Sequence, residues 1–127
     1  MMLFDVLQKV ADELPGCELT SIVSLDSGLS LACVAPGRDD AAAGADAFHS
    51  ELYRVIRNAL SELGNDAPVD GVVVQGKQRV FVSRPVGGLG YFWHVATRAE
   101  TTLGFTQAVM RKYQSDVESG LRELLQS

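Results

Sequence analysis

The chain has 127 residues, 46% of them apolar and 21% charged, with a net charge of −5. That suffices for one folded domain with a single sizeable core, and the acidic balance disfavours a nucleic-acid partner, which demands surplus Lys and Arg. Apolar runs are too short to cross a bilayer, and Met1-Met2-Leu3-Phe4-Asp5 lacks a basic leader region, so a cytoplasmic location is expected and membrane insertion is not.

Leu3, Leu7, Val10, Ala11 and Leu14 recur at helical spacing, and Pro15-Gly16 ends that first helix. Cys17 to Leu25 alternates as a strand, Asp26-Ser27-Gly28 turns, and Leu29 to Val34 returns. After the loop at Ala35-Pro36-Gly37-Arg38, Asp39 or Asp40 can cap a long helix. Its stripe is Ala45, Phe48, Leu52, Val55, Ile56, Ala59 and Leu63, and Gly64 suits a left-handed cap. Three strands follow: Val69 to Gln75, Gln78 to Pro85, and Tyr91 to Thr97. They join at Gly76-Lys77 and at Gly87-Gly88-Leu89-Gly90. Thr101 or Thr102 opens a last helix carrying Val109, Met110, Tyr113, Val117, Leu121 and Leu124.

Short turns make neighbouring strands antiparallel. Tyr91, Trp93 and Val95 alternate with Phe92 and Ala96, so the sheet needs cover on both sides. The expected fold is a single α/β (α+β) sandwich over residues 1–127, in the order αββαβββα. Its five-stranded antiparallel sheet has helices on both faces.

Gly71-Val72-Val73-Val74-Gln75-Gly76-Lys77-Gln78 nearly fits the phosphate-binding pattern G-x-x-x-x-G-K-[ST]. Gln78 stands where a magnesium-ligating hydroxyl belongs, the middle is β-branched, and a strand follows where a helix N-terminus is needed. A hairpin is the better reading. Gly28-Leu29-Ser30-Leu31-Ala32 imitates a nucleophile elbow, but Ser30 falls inside a hairpin strand instead of between strand and helix. His49 and His94 read as packed or half-exposed, and Tyr91 and Trp93 as core aromatics before a ligand platform. With the turn at Asp26-Ser27-Gly28, Cys33 faces Ser21 and lies about 13 Å along the strand from a position opposite Cys17. That exceeds the roughly 7 Å limit for a bridge, so two reduced, mostly buried thiols are expected. No catalytic residue, cofactor or metal site is expected.

The charge is unevenly spread: residues 1–53 hold two bases against nine acids, and residues 54–98 hold six bases against three. On the polar side of the long helix, Ser50, Tyr53, Arg54, Arg57 and Ser61 share one sector. Tyrosine and arginine are enriched in interface hot spots, which makes this sector a candidate partner-binding face. Its bland alternative is a solvated helix face. Val72-Val73-Val74 would be a hazardous exposed edge at the end of a sheet, relieved by pairing with a second copy. If the strand is interior to the sheet, no such need arises.

Leu14-Pro15-Gly16-Cys17, Asp26-Ser27-Gly28-Leu29-Ser30-Leu31-Ala32, Ala41-Ala42-Ala43-Gly44-Ala45 and Leu103-Gly104 follow one another in an order that resembles the roadblock/dynein light chain domain, particularly its bacterial single-domain members. The likeness covers nearly the whole chain; Tyr91-Phe92-Trp93-His94-Val95 is more aromatic than the aliphatic strand expected there. The resemblance implies a homodimer joined edge to edge, with the two long central helices packed together. Its interface would draw on Val72, Val73, Val74, Phe48, Leu52 and Val55. It also implies a non-enzymatic regulator that binds a small Ras-like GTPase and modulates its GTP hydrolysis or localisation. The alternatives are a dimeric scaffold without effect on nucleotide turnover, or a small-molecule sensor.

Overall fold

The computed structural model describes residues 2–36, 54–55, 58–59, 61–62, 64 and 70–126. The first helix, α1 (Leu3–Glu13), buries Leu3, Val6, Leu7, Val10 and Ala11 along one stripe. Gly16, at φ +77°, then reverses the chain into the sheet. The Thr101 hydroxyl, from the far end of the sequence, donates to the Pro15 carbonyl and pins this reversal.

Five strands follow: β1 (Cys17–Ser24), β2 (Ser30–Val34), β3 (Val72–Gln75), β4 (Arg79–Pro85) and β5 (Tyr91–Arg98). They form one antiparallel sheet in the order β2-β1-β5-β4-β3. β1 and β2 are joined through a turn in which the Gly28 N–H donates to the Ser24 carbonyl at 3.0 Å, and Gly28 has φ +72°. Ser21 stands opposite Cys33, the register the turn predicts.

The last helix, α2 (Leu103–Gln126), starts where the Phe105 N–H donates to the Thr102 hydroxyl oxygen at 3.2 Å. Thr102 is thus the cap of the two threonines proposed. Both α1 and α2 lie on one face of the sheet. Ile22, Val34, Val80, Val82, Trp93 and Val95 point toward them and merge with Val109, Met110, Val117 and Leu121 in one core. The helices run antiparallel: Gly120 meets the Leu3 backbone at one end, while Lys112 and Tyr113 meet Glu13 at the other. The second face of the sheet is also buried, through Leu19, Ser21, Val23, Phe92, His94 and Ala96.

Several expectations need correction. Leu124, placed on the apolar stripe of the last helix, is 41% exposed, because that stripe leaves the core after Leu121. β3 begins at Val72, with Asp70 and Gly71 ahead of it. The β3–β4 turn is centred on Lys77 and Gln78, closed by the Gly76 N–H donating to the Arg79 carbonyl at 2.8 Å. Both thiols are half-buried, since each lies toward one end of its strand. Arg54, Val55, Asn58, Ala59, Ser61 and Glu62 are helical and Gly64 has φ +83°, in line with the long helix and its cap. Most of that helix, including His49 and the proposed Ala45, Phe48, Leu52, Ile56 and Leu63, lies outside the described residues. So does the cover expected from it on the second face.

Candidate functional site: the open edge strand

The sheet order decides the question left open for Val72-Val73-Val74. Among the described residues β3 is terminal, bonded to β4 on one side only. Its side chains alternate between faces: Val73 stands opposite the core residue Val82 and is 42% exposed, while Val72 and Val74 stand opposite Ser83 and Phe81 on the second face. Three consecutive β-branched residues favour an extended backbone, and an extended backbone with an unpaired side presents donors and acceptors to another chain.

Beside this edge a groove of about 320 Å³ runs between sheet and helix, lined by Asp70, Val72, Val73, Val82, Arg84 and by Gln107 and Arg111 of α2. Arg84, Gln107 and Arg111 were not among the residues singled out from the sequence. They come from β4 and α2, and no local pattern reports that these elements meet beside β3.

The proposed partner-binding sector is only partly visible. Arg54 is half-buried and its guanidinium donates to the Asp26 carbonyl in the β1–β2 turn at 3.2 Å. No local pattern signals this contact, which fixes the head of the side chain against the sheet end. Ser61 and Val55 are exposed. Ser50, Tyr53, Arg57, Phe48 and Leu52 lie outside the described residues.

The remaining candidates fall into place as structure. Ser30 is a strand residue whose hydroxyl donates to the Ala32 carbonyl at 3.2 Å. Ser83 Oγ and His94 Nδ1 are 2.8 Å apart, a nucleophile–base spacing. Both side chains are buried between strands, however, and His94 stacks on Phe81 at 5.8 Å. The pair is packed where no substrate reaches it. Trp93 is fully buried and serves the core, as expected, and Tyr91 packs against it. Burial pushes the Cys17 thiol up to about 11, so it stays protonated at neutral pH. Among the described residues no group of three His, Cys, Asp or Glu is placed to hold a metal ion. Among them, too, no helix is long and apolar enough to cross a membrane.

No family model matches the chain, and no curated protein matches it in sequence. Solved structures do. A Roadblock/LC7 domain from Streptomyces avermitilis superposes with a TM-score of 0.82 at 22% identity, covering 100% of both chains. An MglB described with a tetrameric arrangement gives 0.82 at 14% identity, over 95% of this chain and 88% of that one. MglC from Myxococcus xanthus gives 0.65 at 25% identity, over 93% and 98%. Full-length superposition onto these structures, with the five-stranded antiparallel sheet described above, makes the chain a domain of the Roadblock/LC7 fold.

Proposed function

We propose that the chain is a non-enzymatic homodimer that binds a small Ras-like GTPase and modulates its GTP hydrolysis or its localisation in the cytoplasm. The observation that carries this reading is the edge of β3, three valines long and unpaired among the described residues, on a domain of the Roadblock/LC7 fold. A second copy covers that edge. The MglB of the same fold, described in a tetrameric arrangement, supports association between copies. The dimer interface then takes Val72, Val73 and Val74, with Phe48, Leu52 and the exposed Val55 from the long helix. The GTPase docks on Ser50, Tyr53, Arg54, Arg57 and Ser61.

The test begins with the GTPase recovered from the native cell on the immobilised protein. Binding is then measured by titration calorimetry, and hydrolysis by phosphate release. A double change of Arg54 and Arg57 to Glu should abolish binding while the protein stays dimeric. Because Arg54 also holds the β1–β2 turn, Arg57→Glu alone should weaken binding at least tenfold. Unchanged affinity in both variants removes this helix face from the interface. Binding that leaves turnover and placement of the GTPase untouched moves the assignment to a scaffold.

A further inference from the structure

Two arginines line the groove beside β3, and local structure supplies neither with an acid. Arg84 shares the helix-bearing face of β4 with Val80 and Val82, at the two-residue period of a strand. Trp93 stands opposite it on β5, and its stem crosses Gly71, where a Cβ would come 3.6 Å from Arg84 Cγ. Arg111 follows Gln107 by one helical turn on α2, so the two form a ridge along the groove. The residues three and four away from Arg111 are Gln107, Ala108, Gln114 and Ser115, none of them a carboxylate. Arg79, Lys112 and Arg122 each have a carboxylate partner. Among the described residues, the Arg84 and Arg111 side chains have neither an ion pair nor a hydrogen bond.

Like charges that share one cavity repel, and here only Asp70 opposes them. The groove therefore carries surplus positive charge on a chain whose net charge is −5. Val73 and Val82 add an apolar wall, and Val73 is 42% exposed. From this combination we infer that the groove is a docking site for an acidic segment of a protein partner, one in which a Glu or Asp carboxylate stands beside an apolar side chain. The carboxylate accepts hydrogen bonds from the Arg84 and Arg111 guanidiniums, whose planar forks match its two oxygens. The Gln107 amide donates alongside them. The apolar side chain covers Val73 and Val82 and removes their surface from water.

A peptide suits the groove better than a small inorganic anion, which would satisfy the arginines and leave both valines wet. The bare Gly71 belongs to the same design. A side chain there would meet the Ser83 carbonyl oxygen at 2.9 Å and press on the Arg84 stem, so glycine lets the stem lie down beside the groove. The site uses none of the residues assigned to the GTPase. From β3 it needs the side chain of Val73, which stands opposite the core residue Val82 and so points out of the plane in which strands pair. Docking here is therefore independent of what covers the edge of β3.

The probe is a fluorescein-labelled decapeptide of alternating valine and glutamate, titrated with the purified chain at low salt and followed by fluorescence anisotropy. A matched peptide carries glutamine in place of every glutamate. The acidic peptide should bind, the glutamine peptide should not, and added salt should weaken binding. Arg84→Gln and Arg111→Gln should each weaken it about tenfold, the loss expected for one charge-assisted hydrogen bond. Arg98→Gln, which removes an exposed arginine outside the groove, should leave it unchanged. Arg111 is exposed on α2, so its substitution keeps the fold and decides the matter even if Arg84→Gln lowers stability. Failure of the acidic peptide to bind at millimolar concentration overturns the site, as does binding that survives both groove variants. Equal weakening by Arg98→Gln also overturns it, because the attraction is then general. Inorganic phosphate that displaces the peptide at matched ionic strength makes this a small-anion site and overturns the peptide. If Arg111→Gln lowers the mass of the chain by light scattering without any peptide, a second copy is the occupant and the partner segment is overturned.

Discussion

The indole N–H of Trp93 donates to the hydroxyl oxygen of Thr20 at 2.8 Å, and both side chains are fully buried. The two residues stand on adjacent central strands, one from each side of the long connection that separates β2 from β3. A buried indole needs an acceptor, and the threonine hydroxyl is the one supplied.

Thr20→Val keeps the shape and strands the indole N–H. The expected loss is about 1–3 kcal/mol, the desolvation cost of an unsatisfied buried donor. It should appear as a lower urea midpoint with an unchanged slope. Thr20→Ser, which retains the acceptor, should lose less. A larger loss for Ser than for Val would show that the methyl group and not the hydrogen bond matters there.

Gly120 sets the spacing of the two helices. A Cβ there would sit 3.1 Å from Leu3 Cα and 3.2 Å from Leu3 N, both backbone atoms. Alanine gains about 1 kcal/mol in helix propensity, which offsets part of the contact. Gly120→Val combines a larger clash with poorer propensity and should destabilise by about 1–3 kcal/mol. Thermal unfolding should rank glycine above valine, with alanine between them or level with glycine.

Glu13 gives the domain a pH signature. The Lys112 ammonium donates to Glu13 Oε1 at 2.8 Å and the Tyr113 hydroxyl donates to the same oxygen at 2.7 Å. The Lys112 hydrogen bond first, and then that of Tyr113, hold the carboxyl below its ordinary 4.5. A depressed folded-state value means the contribution is complete above the unfolded value and fades as pH falls through the folded one. Lys112 is raised above 10.5 by the same bond, so its share is complete below that value and fades as pH rises through the folded one. Glu13→Gln should flatten both flanks of a plot of urea midpoint against pH, the acid flank below about pH 4.5 being the easier to read. Because the pair is exposed, the effect should be small and should shrink in molar salt.

Local chemistry made much of the fold legible. The β1–β2 register follows from one turn and a two-residue period, so Ser21 opposite Cys33 could be read directly. Val6 escaped notice because α1 packs against both the sheet and α2, which buries a wider arc than a single apolar stripe. The edge position of β3 was not legible, since it depends on β1 choosing β5 as its second neighbour, a pairing between distant segments. The groove beside it was hidden for the same reason, because Arg84 and Arg111 meet only after β4 and α2 are in place. Residue type and a shared helical sector nominated Arg54, yet its bond to the Asp26 carbonyl is a tertiary event.

The Thr101 hydroxyl on the Pro15 carbonyl and the Gly120 contact with Leu3 stitch α1 to α2, the outermost helices in chain order. During translation α1 and the sheet precede α2, so the side of α1 that packs on α2 stays wet until Leu103–Gln126 has been made. The α1–α2 part of the core is consequently the last to close. A nascent chain halted before Leu103 would display that greasy side of α1 to chaperones.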